Sequence, residues 1–79
     1  MKNEVTINFS RHARRRAKLY NIPLSLVYET LELLKFKQGK GEILTIVKGY
    51  KFPIKIVIDV EGNIVTVIST YPYKKGRKR

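Results

Sequence analysis

The chain has 79 residues and contains no cysteine, no tryptophan and a single histidine. Without cysteine it forms neither a disulfide framework nor a thiolate metal site. One histidine, His12, is too few for a histidine-rich zinc site. We therefore expect no metal and no other cofactor.

Long apolar runs are also absent. The longest fall far below the ~20 residues that a membrane-spanning helix needs, and the first residues lack the apolar segment of a signal peptide. We therefore expect a protein of a reducing prokaryotic cytoplasm. A composition rich in lysine, isoleucine and arginine, with one methionine and no cysteine, favours a thermophilic source.

Acidic residues are scarce, whereas basic residues are abundant. The 17 lysines and arginines exceed the 6 acids by 11 charges, and the pI is near 10.2. This balance excludes an acidic disordered protein and a neutral scaffold without a charged partner. Apolar residues make up 43% of the chain, which is enough for one folded domain. We expect that domain over residues 1–73 and a disordered basic tail over residues 74–79.

Hydrophobic periodicity predicts the first half of the fold. Apolar and polar residues alternate over residues 5–9, which predicts a short strand, and Ser10 stands at the N-cap of a helix over residues 11–20. Ala13, Ala17 and Tyr20 should share the buried face of that helix. Pro23 opens a second helix, which we expect to continue to residue 37, where a glycine-containing stretch caps it.

The second half of the sequence predicts three strands joined as a meander. They cover residues 42–48, 54–60 and 64–70, with a loop at 49–53 and a hairpin turn at 61–63. The element order is strand, helix, helix and three strands. We expect an α+β fold in which two helices pack on one face of a small, mostly antiparallel sheet. The first strand should lie at an edge or beside the last strand.

Basic residues crowd the start of the first helix. Basic residues stand four apart, so that like charges are neighbours on the helix surface, and the macrodipole is already positive at this end. Each of these interactions is therefore unfavourable. A bound anion attracts both the basic side chains and the positive end of the helix dipole, so each of these interactions becomes favourable. The arginine-rich cluster and the tail therefore predict a nucleic-acid interface. Its residues are Arg11, Arg14, Arg15, Arg16 and Lys18 in the helix and Lys74, Lys75, Arg77, Lys78 and Arg79 in the tail.

Other interpretations of these residues remain open. A charge run is often a solvated face, and the tail is then only a solubilising end. A membrane surface is a competing anion, but neither helix has the spare apolar face of an interfacial helix, so we expect no membrane partner. Tyr71 and Tyr73 flank Pro72 and either stack on unpaired bases or close the end of a small core.

His12 is the candidate catalytic base. Histidine is the side chain that most often acts as a general acid or base, and His12 lies one helical turn before Arg16. RNA cleavage without a metal requires a base for the 2′-hydroxyl, a cation for the phosphorane and an acid for the leaving oxygen. Thr70, Tyr71 or Tyr73 could supply that acid if the last strand lies beside the helix. Alternatively, His12 is an exposed polar residue or contacts phosphate only.

Two stretches resemble a known family. Residues 9–16, with Ser10, His12, Ala13 and Arg16, followed by residues 20–23, are similar to the opening of a group of small prokaryotic domains related to RelE/ParE-like and BrnT-type toxins. Residues 65–72 resemble its final strand. The resemblance implies a RelE-like fold and a metal-independent ribonuclease of a toxin–antitoxin pair. His12 and Arg16 match its helix positions, and Ser69 and Thr70 match the polar end of its last strand.

Several functions follow from these observations. The first is an RNA-binding, toxin-like endoribonuclease of the mRNA interferase type. The second is a non-catalytic nucleic-acid-binding module that uses the same basic helix and tail. The third is a protein-interaction module whose cations meet an acidic partner such as an antitoxin. DNA remains an alternative to RNA, because ParE-like toxins act on gyrase. No further lysine, arginine or glutamate of the middle strands can be matched to a catalytic position of this family. The oligomeric state stays open.

Overall fold

A computed structural model describes residues 5–73, so the predicted basic tail, residues 74–79, lies outside the described residues. The fold is α+β, with two helices and a four-stranded mixed sheet, and the predicted element order is confirmed. In chain order the elements are β1 (Thr6–Phe9), α1 (Arg11–Leu19), α2 (Leu24–Glu32), β2 (Gly39–Thr45), β3 (Ile54–Glu61) and β4 (Ile64–Pro72).

The strands lie in the order β1-β4-β3-β2. The strands β2, β3 and β4 form the predicted antiparallel meander, with Gly62 at positive φ in the turn between β3 and β4. The first strand was predicted at an edge or beside the last strand. It lies beside β4 and runs parallel to it. Because β1 and β4 run in the same direction but β1 is shorter, β1 ends opposite Val67, in the middle of β4, which continues to Pro72.

One face of the sheet is covered and the other is open. In β3 the residues Ile54, Ile56, Ile58 and Val60 are buried, while those between them are only half-buried. Alternation along a strand points successive side chains to opposite faces, so these four lie on the covered face. Both helices contribute to the same buried cluster, through Ala13, Ala17, Val27 and Leu31.

A β-bulge in β4 changes which residues face the core. Val57 pairs with Ser69 but Ile58 pairs with Val67, so Ile68 is an extra residue on β4. Before the bulge, odd-numbered residues such as Val67 are buried, and after it Thr70 is buried opposite Ile56. Tyr71 pairs with Lys55 and therefore lies on the open face.

Several predicted boundaries were wrong. The helix α2 ends at Glu32, five residues before the predicted end. The chain then extends to Gln38, because an extended residue advances about twice as far as a helical one and the chain must reach the far edge of the sheet. Gly39 does not cap the helix; it begins β2 at a φ of 100° and pairs with Val60.

Three other expectations also need correction. Tyr20 is the C-cap of α1 and is exposed, so it does not share the buried face of Ala13 and Ala17. The strand β2 begins earlier than predicted and ends at Thr45, which places Ile46 in the connection to β3. The strand β4 continues to Pro72, which is tolerated there because β1 ends opposite Val67 and leaves this part of β4 as a free edge.

Candidate nucleic-acid interface

Three parts of the chain meet where β4 ends. The strand β3 begins there, since Ile54 pairs with Pro72, and the connection from β2 lies just before it. The helix α1 begins beside Val67 and Ile68 of β4, and the residues that follow it reach this end of the sheet. The Tyr50 hydroxyl donates a hydrogen bond to the carbonyl of Asn21 at 2.8 Å, which links the β2–β3 connection to the residues that follow α1.

We call this part of the molecule the cationic end and define it as residues 10–21, 46–55 and 70–73. It contains lysines and arginines but no aspartate or glutamate. One ion pair is present in residues 5–73, between Lys55 and Glu42 of the adjacent strand, so the other cations of this end have no acidic partner among these residues. The cations are Arg11, Arg14, Arg15, Arg16, Lys18, Lys48, Lys51 and Lys55.

Ser10 fixes the start of α1. Its hydroxyl accepts a hydrogen bond from the Ala13 amide at 3.0 Å, which confirms the predicted N-cap. The same hydroxyl donates to the Ile68 carbonyl at 3.0 Å, at the bulge of β4. The Ser10 amide also donates to the Val67 carbonyl at 3.0 Å. One residue therefore attaches β1 and the helix start to the bulged part of β4.

The basic residues of α1 surround its buried alanine face. Small alanine side chains hold the helix close to the sheet, and Arg11, Arg14, Arg15 and Lys18 are exposed to solvent, while Arg16 is half-buried. The first amides of an α-helix have no intrahelical acceptor and point along the axis. The arginine side chains and the positive end of the helix dipole therefore lie together at one exposed surface, which suits an anion.

A second group of residues lies around Lys55 on the open face. Its ammonium is 3.0 Å from a Glu42 carboxylate oxygen and 5.0 Å from the centroid of the Tyr73 ring. The hydrogen bond to Glu42 raises the pKa of Lys55 above its ordinary value, with smaller contributions from Tyr71 and Tyr73. Tyr73 is held by its amide, which donates to the Pro53 carbonyl at 2.8 Å. Tyr73 thus packs at the end of the sheet and is half-buried.

The structure separates the predicted catalytic residues. His12 is exposed on the first turn of α1, and its side chain makes no hydrogen bond within residues 5–73. Thr70 is fully buried, and its hydroxyl has no hydrogen-bond partner among those residues. A buried hydroxyl cannot reach a phosphodiester on the surface, so this geometry argues against Thr70 as the acid. Tyr71 is half-buried on the open face, opposite the helices.

Sequence reasoning missed the contribution of the β2–β3 connection. Lys48 and Lys51 lie in it and are exposed, and Lys51 lies 5.8 Å from the centroid of the Phe52 ring. A signal for them was present, because a meander places this connection at the same end of the sheet as the close of the last strand. The tail cations Lys74, Lys75, Arg77, Lys78 and Arg79 fall outside the described residues.

The helices of residues 5–73 are too short and too polar to cross a membrane. Within the same residues, no three histidine, aspartate or glutamate side chains are grouped so that they could hold a metal ion. No family model, no curated protein and no solved structure matches this chain.

Proposed function

We propose that the protein binds nucleic acid, with RNA as its ligand, through the cationic end. The observation that carries this proposal is the collection of eight basic residues from two separate segments, residues 10–21 and 46–55, of which only Lys55 has an acidic partner within residues 5–73. A solvated surface normally mixes both signs of charge. Concentrated cations without acids repel one another, and a polyanion relieves that repulsion.

Phosphate groups are the expected point of contact. Four of the five α1 cations are arginines, whose planar guanidinium donates two parallel hydrogen bonds to one phosphate. The amides at the helix start supply further donors without side-chain entropy loss. Contacts of this kind fix the position of the backbone and carry little sequence information. We therefore expect binding that depends more on salt than on sequence.

Charge reversal in α1 tests this proposal. The double variant Arg14→Glu, Arg15→Glu should bind a single-stranded RNA at least ~10-fold more weakly, since two phosphate contacts become repulsive. Its matched control is Lys35→Glu, Lys37→Glu, which changes the net charge equally but lies in the connection between α2 and β2. Fluorescence anisotropy across a salt series measures both affinity and its salt dependence.

The salt series gives the decisive outcome. If about six phosphates are contacted, the log–log slope of the unaltered protein is about −4 to −5, and the α1 variant should flatten it by about 1.5. The control variant should keep the slope of the unaltered protein. A slope near zero for the unaltered protein, or equal loss in both variants, would remove this surface as the binding site.

A second function, metal-independent endoribonuclease activity, is favoured by His12. Its imidazole is exposed on the same turn as the exposed arginines and one turn before Arg16, where a bound backbone would lie. The resemblance to RelE/ParE- and BrnT-like toxins supports the same activity, a RelE-like fold and an acidic antitoxin as protein partner. The α+β order of two helices before a three-stranded meander is compatible with that assignment.

Two variants separate catalysis from binding. His12→Ala should abolish cleavage of single-stranded RNA and change its binding only a few-fold, because a proton acceptor is lost but the arginines remain. Thr70→Val should retain cleavage, since the buried Thr70 hydroxyl does not contact the ligand. Cleavage assays on end-labelled RNA with chelator present provide the measurement. If the unaltered protein binds RNA and cleaves none, the non-catalytic binding module stands and the nuclease does not.

A further inference from the structure

The strand β2 forms the longer free edge of the sheet. It has seven residues, against four in β1 at the other edge, and it pairs only with β3. One side of β2 therefore presents backbone amide and carbonyl groups that no other strand in residues 5–73 pairs with. A free edge of this length is a template for another strand, and proteins usually protect it with charged side chains.

The charges on this edge are arranged to attract a second copy. Lys40 and Glu42 flank Gly41, and all three lie in β2. Lys40 pairs with Asp59 and Glu42 with Val57, which places both side chains on the open face, and both are exposed. In an antiparallel pair of β2 strands centred on Gly41, Lys40 of each copy lies opposite Glu42 of the other.

We propose that the chain forms a homodimer by antiparallel pairing of β2 with β2 of a second copy, centred on Gly41. The two sheets then join into one sheet of eight strands. Glycine at the two-fold axis places no side chain where the two copies come closest. A register centred one residue later is disfavoured, because it places Glu42 directly opposite Glu42 of the second copy.

Neighbouring residues agree with this arrangement. Glu42 is 61% exposed even while it pairs with Lys55, so its carboxylate remains accessible to a second cation. Leu44 and Ile46 are 53% and 88% exposed, which is high for side chains of their size. In the proposed register they lie opposite residues 38 and 36 of the second copy, and the pairing reduces their contact with water.

The repulsion between two copies of this basic chain is weaker than its net charge alone suggests. Antiparallel pairing directs the cationic ends of the two copies to opposite ends of the joined sheet. Charges of opposite sign meet at the β2 edge, whereas the like charges are held apart by roughly a Debye length or more at physiological salt. The proposal does not depend on nucleic-acid binding.

Sedimentation equilibrium without nucleic acid tests the dimer. Concentrations from ~10 µM to ~1 mM cover the range in which weak pairs of protein copies form. Lys40→Glu should raise the dimer dissociation constant ~10-fold or more, since two attractive cross-strand pairs become repulsive. Lys18→Glu is the control, with the same change in charge on the exposed surface of α1, and it should leave the constant nearly unchanged.

A mixture of two variants makes the test specific to the register. Lys40→Glu carries two acids on the edge and Glu42→Lys carries two lysines, so neither should pair with itself. Mixed in equal amounts, they should form a heterodimer, because each Lys–Glu pair is restored across the interface. Thermal unfolding monitored by circular dichroism verifies that each variant is folded, since Glu42→Lys also removes the ion pair with Lys55.

Two outcomes would overturn the proposal. A monomer at every concentration shows that the edge does not pair. A dimer that Lys40→Glu leaves intact, or variants that fail to associate when mixed although both are folded, shows that any association uses another surface. Neither outcome affects the proposed binding of RNA, which is measured separately by anisotropy.

Discussion

The two ends of the sheet differ in charge and in how they are held together. The hairpin end, which we define as residues 5–6, 32–40 and 59–64, has three basic and three acidic residues, whereas the cationic end has basic residues only. At the hairpin end, the Gln38 side chain exchanges two hydrogen bonds with the backbone of Gly62, at 3.1 and 2.7 Å. At the cationic end, the Ser10 hydroxyl bridges α1 and β4.

This difference supports the proposal that the cationic end binds a partner. Mixed charges lower the repulsion among side chains and leave the hairpin end without a preference for an anion or a cation. A single sign of charge destabilises the cationic end of the isolated protein, and it persists beside a helix start that offers further donors. A local arrangement that is unfavourable without a partner is typical of a binding site.

Ser10→Ala should give the largest change in stability of the variants that distinguish the two ends. It removes the helix cap and leaves the half-buried Ile68 carbonyl without its donor, a loss of about 1–3 kcal/mol in the free energy of unfolding. Urea denaturation measures it. Ser10→Thr is the control, since its hydroxyl can make both bonds. A loss below that of Gln38→Ala would show that the bridge contributes little.

Gln38→Ala should have a smaller effect at the hairpin end. Both of its hydrogen bonds are exposed to water, so we expect a loss of about 0.5–1 kcal/mol. Gln38→Glu retains an acceptor for the Gly62 amide but has no donor for the Gly62 carbonyl. Its stability should therefore lie between that of the unaltered protein and that of Gln38→Ala. Amide hydrogen exchange at Gly62 should accelerate in Gln38→Ala while exchange in α1 stays constant. Faster exchange at both ends would mean that the two ends do not unfold separately.

The smallest effect concerns the ion pair between Lys55 and Glu42. The pKa of Lys55 is raised above 10.5 in the folded protein, so the pair stabilises the fold below that pH and its contribution is lost as pH rises through the raised pKa. Glu42→Gln should therefore lower the melting temperature slightly at pH 8, and the difference should shrink above about pH 10.5. Glu61→Gln at the hairpin end is the control and should show no such convergence. A difference that is constant with pH would exclude the ion pair as its cause.

Local sequence patterns predicted most of the elements. Alternation of apolar and polar residues identified β1, β3 and β4, and Ser10 identified the start of α1. Because the last three strands pair locally, few positions in the sheet were left for β1. The end of α2 was not predictable from periodicity, because Leu34 continues the helical spacing although the helix ends at its C-cap, Leu33, and the chain then extends to the β2 edge. Residues 33 and 34 are exposed in consequence.

The candidate site was predictable in part. The arginine cluster is contiguous in sequence, so its exposure follows from the two alanines that mark the buried face of α1. The contribution of Lys48 and Lys51 depends on strand pairing and needed the fold. The position of Thr70 depends on one extra residue at Ile68, which no simple alternation reveals. That extra residue turns Thr70 into the core and Tyr71 to the open face.

The bulge at Ile68 also determines which face of the sheet each side chain at the end of β4 occupies. Deletion of Ile68 would leave a regular strand in which Val67, Ser69 and Thr70 pair with Ile58, Val57 and Ile56, so Thr70 would still face inward and Tyr71 outward. A homologous chain without the extra residue therefore keeps the same inward and outward side chains after Val67, each one position earlier in its sequence. Alignments of such chains should therefore require a one-residue gap at this point, and ignoring that gap would equate side chains on opposite faces of the sheet.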